Sequence, residues 1–565
     1  MNLIVYFCAY FLILSSIIGY GYLFSSLCNF TLSKKYNLNN YLDISYIGIF
    51  GFFFLILYSY FSSFFLSHSK EHNVIFIFFG IINFIFFLIT NKKKLNYLFL
   101  PLLIFIILFI SALITKNHDD FFYYHFSYSY FLTQSPTVFG MGIFNHGFRT
   151  PSSLFYINSL FYLPVVNYYL FHFASIFILG FANIALAGNI INSIKDKDYN
   201  FISYLSLLFI VFINIFFYRV AEHGTDISAQ ILVLLLIIEL LKIANAKKIL
   251  IFDLNKIYLL ISLIISLKAF YILYLIFFIY VFYLYFSNKL IKKNFFLNIY
   301  LFFSVALVSI VVFTNFQNTG CLLYPISASC FEDIPWSINL NEVSAMNKWY
   351  ELWSKGGATP NYRVDNPYFY IQNFNWVNNW IKIYFFHKIA DTLLGIIVIS
   401  ISVLIIFRIT KSKKKIFNKK INYKIIYFLS IILLAEWFYI HPALRYGGYC
   451  LFAIIFFLPL SIYLERNQSS FSQIKKRIVL IIIITIIIFV TRNIYRIHNE
   501  IFKYDFKPFS EVFYDIDESA FQIQEKYKKL ILYFKNCSVT QKNICITLDK
   551  VEIGTFFKKI YFKQK

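Results

Sequence analysis

Apolar runs of about 20 residues recur from one end of this 565-residue chain to the other, and no other feature limits its fold so severely. A helix rises about 1.5 Å per residue, so a run of that length crosses the hydrocarbon core of a bilayer with its backbone polar groups satisfied internally. Such runs lie near 3–23, 45–66, 74–91, 97–114, 167–192, 200–218, 227–245, 251–267, 269–286, 296–314, 388–407, 424–440, 446–463 and 477–492. The chain is 59% hydrophobic, with a mean hydropathy of +0.67. That composition excludes an ordinary soluble globule. The sequence predicts an all-α polytopic membrane protein with about fourteen transmembrane helices.

The formal charge of +24 invites a nucleic-acid reading, which the placement of the lysines rejects. Lys92–Lys94, Lys247–Lys248, Lys292–Lys293, Lys411 to Lys420 and Lys475 to Arg477 fall in connectors of one parity. Roughly 26 Lys and Arg lie on that side, against about 11 on the other before the C-terminal region, so the first side is assigned to the cytoplasm. The expected organisation is four helices in 1–114, an outer acidic and aromatic loop in 115–166, a bundle in 167–314, an outer Trp-rich loop in 315–387, further helices in 388–492 and a small extracytoplasmic region in 493–565. Pro151 and Pro164 interrupt the second half of the first loop, which reads as amphipathic helices along the outer interface. Residues 517–534 read as a helix, and the N-terminal run as a retained span without a signal-peptide cleavage site. The expected setting is a cytoplasmic membrane, with the acidic loop, the Trp-rich loop and the C-terminal region on its outer side.

Cysteines bear on the same topology. Cys321 and Cys330 share the Trp-rich loop, and Cys537 and Cys545 share the C-terminal region, so two pairs fall on the side assigned as oxidising. This suggests two local disulfides. Zinc would need further His or Cys at ligand spacing, and neither pair has them.

Charged residues at the ends of spans are expensive, and their positions are therefore informative. His118, Asp119 and Asp120 follow the fourth run. The outer ends also carry Arg219 and Glu222 to Asp226 with His223 between them, then Lys268, Asp391, Glu436, His441 and Arg445. His146 and Arg149 belong to the acidic loop itself. At similar depth, these residues could line one cavity. Duller readings fit individual residues: Arg445 as an interfacial anchor, Lys268 as a snorkelling lysine, and 222–226 as a turn with Gly224 for backbone freedom and Asp226 as a helix cap. The tryptophans suit interface packing.

Transfer of a group from a phosphate-linked lipid calls for a carboxylate that accepts a proton or holds a metal, and for cations that hold the departing phosphate. Asp119 or Asp120, beside His118, fits the first role. Arg445, Lys268 and Arg219 fit the second, with His223, Asp226, His146 and Arg149 as further binding candidates.

An acidic motif in an outer loop, many spans and an extracytoplasmic C-terminal region resemble the GT-C superfamily of membrane glycosyltransferases, which use polyprenyl-phosphate sugars. His118-Asp119-Asp120, the segment 145–151, the segment 222–226, Cys321 with Tyr324-Pro325 and Cys330, and Arg445-Tyr446 also look like landmarks of an uncharacterised bacterial multispanning family. The GT-C resemblance implies sugar transfer from a polyprenyl-phosphate donor to an envelope glycan or lipid acceptor, with Asp119 or Asp120 as base or as ligand of a divalent metal. Here the acidic loop follows the fourth span, whereas in GT-C enzymes it ordinarily follows the first. A transporter or lipid-linked glycan flippase, a polysaccharide polymerase or ligase, and a noncatalytic assembly factor are the competing expectations.

Overall fold

The structure is a computed structural model, and it describes residues 3–31, 41–114, 120–222, 224–246, 251–287, 298–358, 364, 366–408, 421–467, 470–504, 551–556 and 559–564. The first helices are α1 (Leu3–Thr31), α2 (Tyr41–Phe65), α3 (Lys70–Thr90) and α4 (Phe99–Ala112), followed by two short ones, α5 (Phe126–Gln134) and α6 (Ser153–Leu160). A central group follows: α7 (Phe173–Lys195), α8 (Phe201–Phe216), α9 (Gly224–Asn245), α10 (Ile251–Leu267), α11 (Ile276–Ser287) and α12 (Ile299–Thr319). Next are α13 (Leu340–Lys355), α14 (Pro367–Ile371), α15 (Val377–Trp380), α16 (Ala390–Arg408), α17 (Lys424–Ile440), α18 (Gly448–Arg466) and α19 (Phe471–Tyr504). The chain is a multi-pass membrane protein. Among the described residues, ten helices are long and apolar enough to cross a membrane. All fourteen expected runs fall on helices, but those at 200–218, 251–267, 269–286 and 424–440 lie on α8, α10, α11 and α17, each under 18 residues long, with the 3-10 turns Ala269–Leu275 leading into α11.

Burial sorts the helices into two groups. Residues of α7 and α9 are nearly all covered by protein, whereas most of α3, α16 and α19 face outward with bare Phe, Ile and Leu side chains, as lipid-facing helices do. Glycine sets the closest contacts: a Cβ on Gly19 of α1 would lie 1.9 Å from the Gly80 carbonyl of α3. Small residues let helix backbones approach in this way inside a membrane. The segment expected to lie along the interface behaves differently, because every residue of α6 is buried. This corrects the amphipathic reading: α6 has no charged face, and its polar residues Ser153, Asn158 and Ser159 are packed along with its apolar ones against α2, α5 and α7.

The two ends of the bundle differ. At one end Lys195 sits 5.1 Å over the Tyr97 ring, Tyr199 stacks on Phe471, Asn422 pairs with Asn245, and Arg477 donates to the Phe407 carbonyl. The connector that begins with Lys92 to Lys94 belongs to this end. The opposite end carries Asp120 and the loops around it. There β1 (Val551–Phe556) and β2 (Lys559–Gln564) pair as an antiparallel hairpin, and Phe139 joins it through hydrogen bonds with Ile560 and Phe562. Trp336 packs against Phe139, Phe556 and Tyr561, which ties the acidic loop, the Trp-rich loop and the hairpin into one layer. The disulfide Cys321–Cys330 lies in the same layer. Cys537, Cys545 and the expected helix at 517–534 lie outside the described residues.

Candidate functional site

Four charged side chains converge at the acidic end, each from a different element. Asp226 lies in the first turn of α9, where a carboxylate also meets the positive end of the helix dipole. Lys268 is the residue at which α10 ends, and its extended backbone (φ −156°, ψ 122°) redirects the chain into the 3-10 turns Ala269–Leu275. Arg445 occupies a 3-10 turn, Leu444–Tyr446, that Gly447 closes at φ +99°, a backbone angle side-chain-bearing residues rarely adopt. Asp120 stands at the start of the π-helical segment Phe121–His125.

The Arg445 turn is held on all sides by buried groups. Tyr384 accepts from the Leu444 amide at 2.9 Å, the Trp437 indole donates to the Ala443 carbonyl at 2.8 Å, and the Trp380 indole donates to the Pro442 carbonyl at 3.0 Å. Gln230, one helical turn along α9 from Asp226, donates to the Leu444 carbonyl and accepts from the Cys450 amide. Buried polar groups of this kind must be paired, so the turn has little freedom to shift on α9.

With the turn fixed, the guanidinium is placed asymmetrically. Its Nε donates to Asp226 Oδ2 at 2.8 Å, whereas both terminal nitrogens stand 3.4 Å from Asp120 Oδ2. The first distance is that of a strong charge-assisted bond, and the second is long for one. Lys268 Nζ pairs with the other oxygen of Asp226. The side chains of Arg445 and Asp120 are 30% and 35% exposed, and those of Lys268 and Asp226 are 20% and 14% exposed, so the network opens outward from the Asp226 side toward Asp120. Aromatic rings form its walls: Trp353 of α13 lies 5.4 Å from the Arg445 guanidinium, and Tyr446 lies 4.7 Å beneath the Lys268 ammonium. Burial pushes the Tyr446 phenol up to about 12 and raises that of Tyr124 despite the neighbouring Arg445. Both phenols therefore stay neutral at pH 7, and among the described residues of the network two acids face two bases.

A family model described as Domain of unknown function (DUF8201) matches residues 1–452. The chain belongs to the DUF8201 family. The DUF8201 match takes in Asp120, Asp226, Lys268 and Arg445 and stops short of α19. No curated protein and no solved structure matches.

Other charged candidates of this DUF8201 protein go elsewhere. Arg219 pairs with Glu222, and Glu222 also takes Arg496 from α19, which makes a second network one turn before Asp226. Arg149 is buried in a third, with Glu342, the Tyr324 hydroxyl at 2.7 Å and the Gly142 carbonyl at 3.0 Å; it ties the acidic loop to α13. His146 stands beside it, its basicity lowered by burial and then by Arg149. His118, Asp119 and His223 lie outside the described residues. Among the described residues no three His, Cys, Asp or Glu side chains gather as metal ligands, and cations already flank Asp120 and Asp226. Asp119, the other half of the expected metal-binding pair, lies outside the described residues. Tyr124, Gln230 and Trp353 are site residues that the sequence did not mark as such.

Proposed function

We propose that this protein is a GT-C-like membrane glycosyltransferase that moves a sugar from a polyprenyl-phosphate carrier to an envelope glycan or lipid at the extracytoplasmic face of the cytoplasmic membrane. The asymmetric hold on Arg445 carries this reading. Asp226 fixes one edge of the guanidinium and leaves the planar fork loosely faced by Asp120, so an incoming phosphate can take the fork at little cost. Lys268, held by the same Asp226, supplies a second cation at the same depth.

In the proposed reaction an acceptor hydroxyl attacks the anomeric carbon of the sugar while the bond from that carbon to the carrier phosphate oxygen breaks. The hydroxyl proton passes to the Asp120 carboxylate, freed when phosphate takes the fork. The polyprenyl phosphate departs as an anion held by Arg445 and Lys268. Trp353 and Tyr446 offer flat faces for the sugar. The test is Asp120→Asn and Asp119→Asn, with mass analysis of envelope glycans and carrier lipids in cells. The expected result is loss of the modification and accumulation of one monosaccharide-linked lipid, with normal amounts of protein in the membrane. Full transfer by both variants would overturn the assignment.

Transport of a lipid-linked glycan is the second reading, favoured by one observation: α9 and α10 carry charges at both ends, Asp226 and Lys268 at one and Glu239, Asp253 and Lys256 at the other. Unchanged glycan structure with altered distribution of the carrier between leaflets would support it.

A further inference from the structure

Between α13 and α15 the chain makes a short excursion, residues 366–375, in which bare rings stand beside buried ones. Phe369, Phe374 and Tyr368 are 63%, 61% and 60% exposed. Tyr370 points inward instead, where its hydroxyl donates to the Lys355 carbonyl and accepts from the Asn379 side chain, each at 3.1 Å. Trp376 is buried just beyond, and its indole donates at 3.0 Å to the carbonyl of Asn373, a residue whose φ of +49° turns the chain back. The bare rings thus sit on a backbone that its two inward neighbours hold in place.

That backbone finds polar partners within the protein. The Asn366 side chain accepts from the Phe369 amide at 3.1 Å, the Asn375 side chain donates to the Phe369 carbonyl at 2.9 Å, and Lys355 donates to the Ile371 carbonyl at 3.0 Å. Apolar rings over a paired backbone enter a lipid interface at little cost, whereas unpaired N–H and C=O groups would oppose it.

Three observations select lipid as the partner. Phe374 packs edge-on against Tyr439 at the end of α17, with ring centroids 5.9 Å apart. Tyr439, Ile432 and Phe428 share one face of α17 by their spacing, and all three are exposed, so the rings continue the outward apolar face of a helix in the bundle. Lys348 sits 4.5 Å over the Tyr368 ring beside exposed Trp349, and Lys, Tyr and Trp together make up a membrane-interface belt. The three bare rings offer roughly 400 Å², half of the about 800 Å² per partner that a stable protein contact takes.

We infer that residues 366–375 dip into the leaflet on the Arg445 side, with Phe369 and Phe374 against lipid and Tyr368 and Lys348 at headgroup level. The segment is tied to the open network by α13: Lys355, which grips it, lies two residues past Trp353, the ring over the Arg445 guanidinium. The inference does not depend on the transferase reading.

Photocrosslinking of the full-length protein in phosphatidylglycerol nanodiscs tests it. p-Benzoylphenylalanine replaces Phe369, Phe374 or, for comparison, exposed Asp333 on the disulfide-bearing loop, and intact-protein mass spectrometry follows illumination. Positions 369 and 374 should each gain the mass of one phospholipid, severalfold more often than position 333. The inference is overturned if neither position takes lipid, if position 333 takes as much, or if the rings crosslink instead to a second copy or to another segment of the same chain, since that protein surface is then what covers them.

Discussion

Helix α9 carries an acid near each end, and the two acids live in different surroundings. Asp226 gathers Arg445, Lys268 and, through Arg445, Asp120, residues from four elements spread over more than half the chain, in a network that opens toward solvent. Glu239 is buried and takes Lys242 from its own helix at 2.6 Å, with Lys256 of adjacent α10 at 3.8 Å and Asp253 behind it. The Glu239 group is local in sequence and closes around an acid that is itself buried, with Lys242 and Asp253 at its partly exposed edge. A closed ion group of that sort fixes the register of two helices, whereas an open one with a loosely held guanidinium keeps room for a ligand. The difference separates packing from binding on one helix.

The sharpest way to break that contrast is to neutralise one acid on each side. Asp120→Asn should reduce transfer by about 10²- to 10⁴-fold, the usual worth of a general base, with no change in thermal unfolding of the detergent-solubilised protein. Glu239→Gln should do the reverse: it leaves partly exposed Lys242 without its acid and buried Lys256 with Asp253, and should cost about 1–3 kcal/mol of stability, with transfer per folded molecule unchanged. If Glu239→Gln abolished transfer while the fold held, the two ends would belong to one path and the transport reading would gain. A smaller effect is expected from Arg445→Lys, which keeps the charge but loses the fork that bridges Asp226 and Asp120; a fall in transfer of about tenfold, or about 1.4 kcal/mol, would set it apart from the loss of Asp120.

The sequence was informative about depth and silent about direction. Asp120, Asp226, Lys268 and Arg445 were picked out because a charge at the end of an apolar run is rare, and the structure brings these four together. Arg219 stands at the same depth by the same argument, and His146 and Arg149 belong to the acidic loop, but these residues face other partners, because neither depth nor membership of a loop says which way a side chain points. Trp353 and Tyr124 were lost for another reason: in a chain with 73 Phe and 46 Tyr, aromatic residues carry little signal. Gln230 was hidden as one polar residue in an apolar helix, legible only once the Leu444 carbonyl and the Cys450 amide were seen to need it. The burial of α6 was legible in principle, since its segment has no charge.

The smallest effect concerns the rim of the open network. His441 caps α17 beside Phe270 and Tyr446, with ring centroids 5.3 Å away in each case, and its Nδ1 is buried without a hydrogen-bond partner among the described residues. Burial first, and then the cations Lys355 and Lys268, hold its imidazole down at about 4. An unfolded histidine titrates near about 6.5, so between about 4 and 6.5 the unfolded chain binds the proton that the folded chain refuses. The stability that His441 confers is complete above that window and is lost as pH falls through it. Thermal unfolding of the solubilised protein should therefore shift down as pH falls from 7 to 4, and His441→Gln should flatten that part of the profile while leaving the Glu239 group untouched. An unchanged slope in the variant would mean that the imidazole takes up its proton in the folded protein at the same pH as in the unfolded chain, so that His441 contributes nothing to the pH dependence of stability.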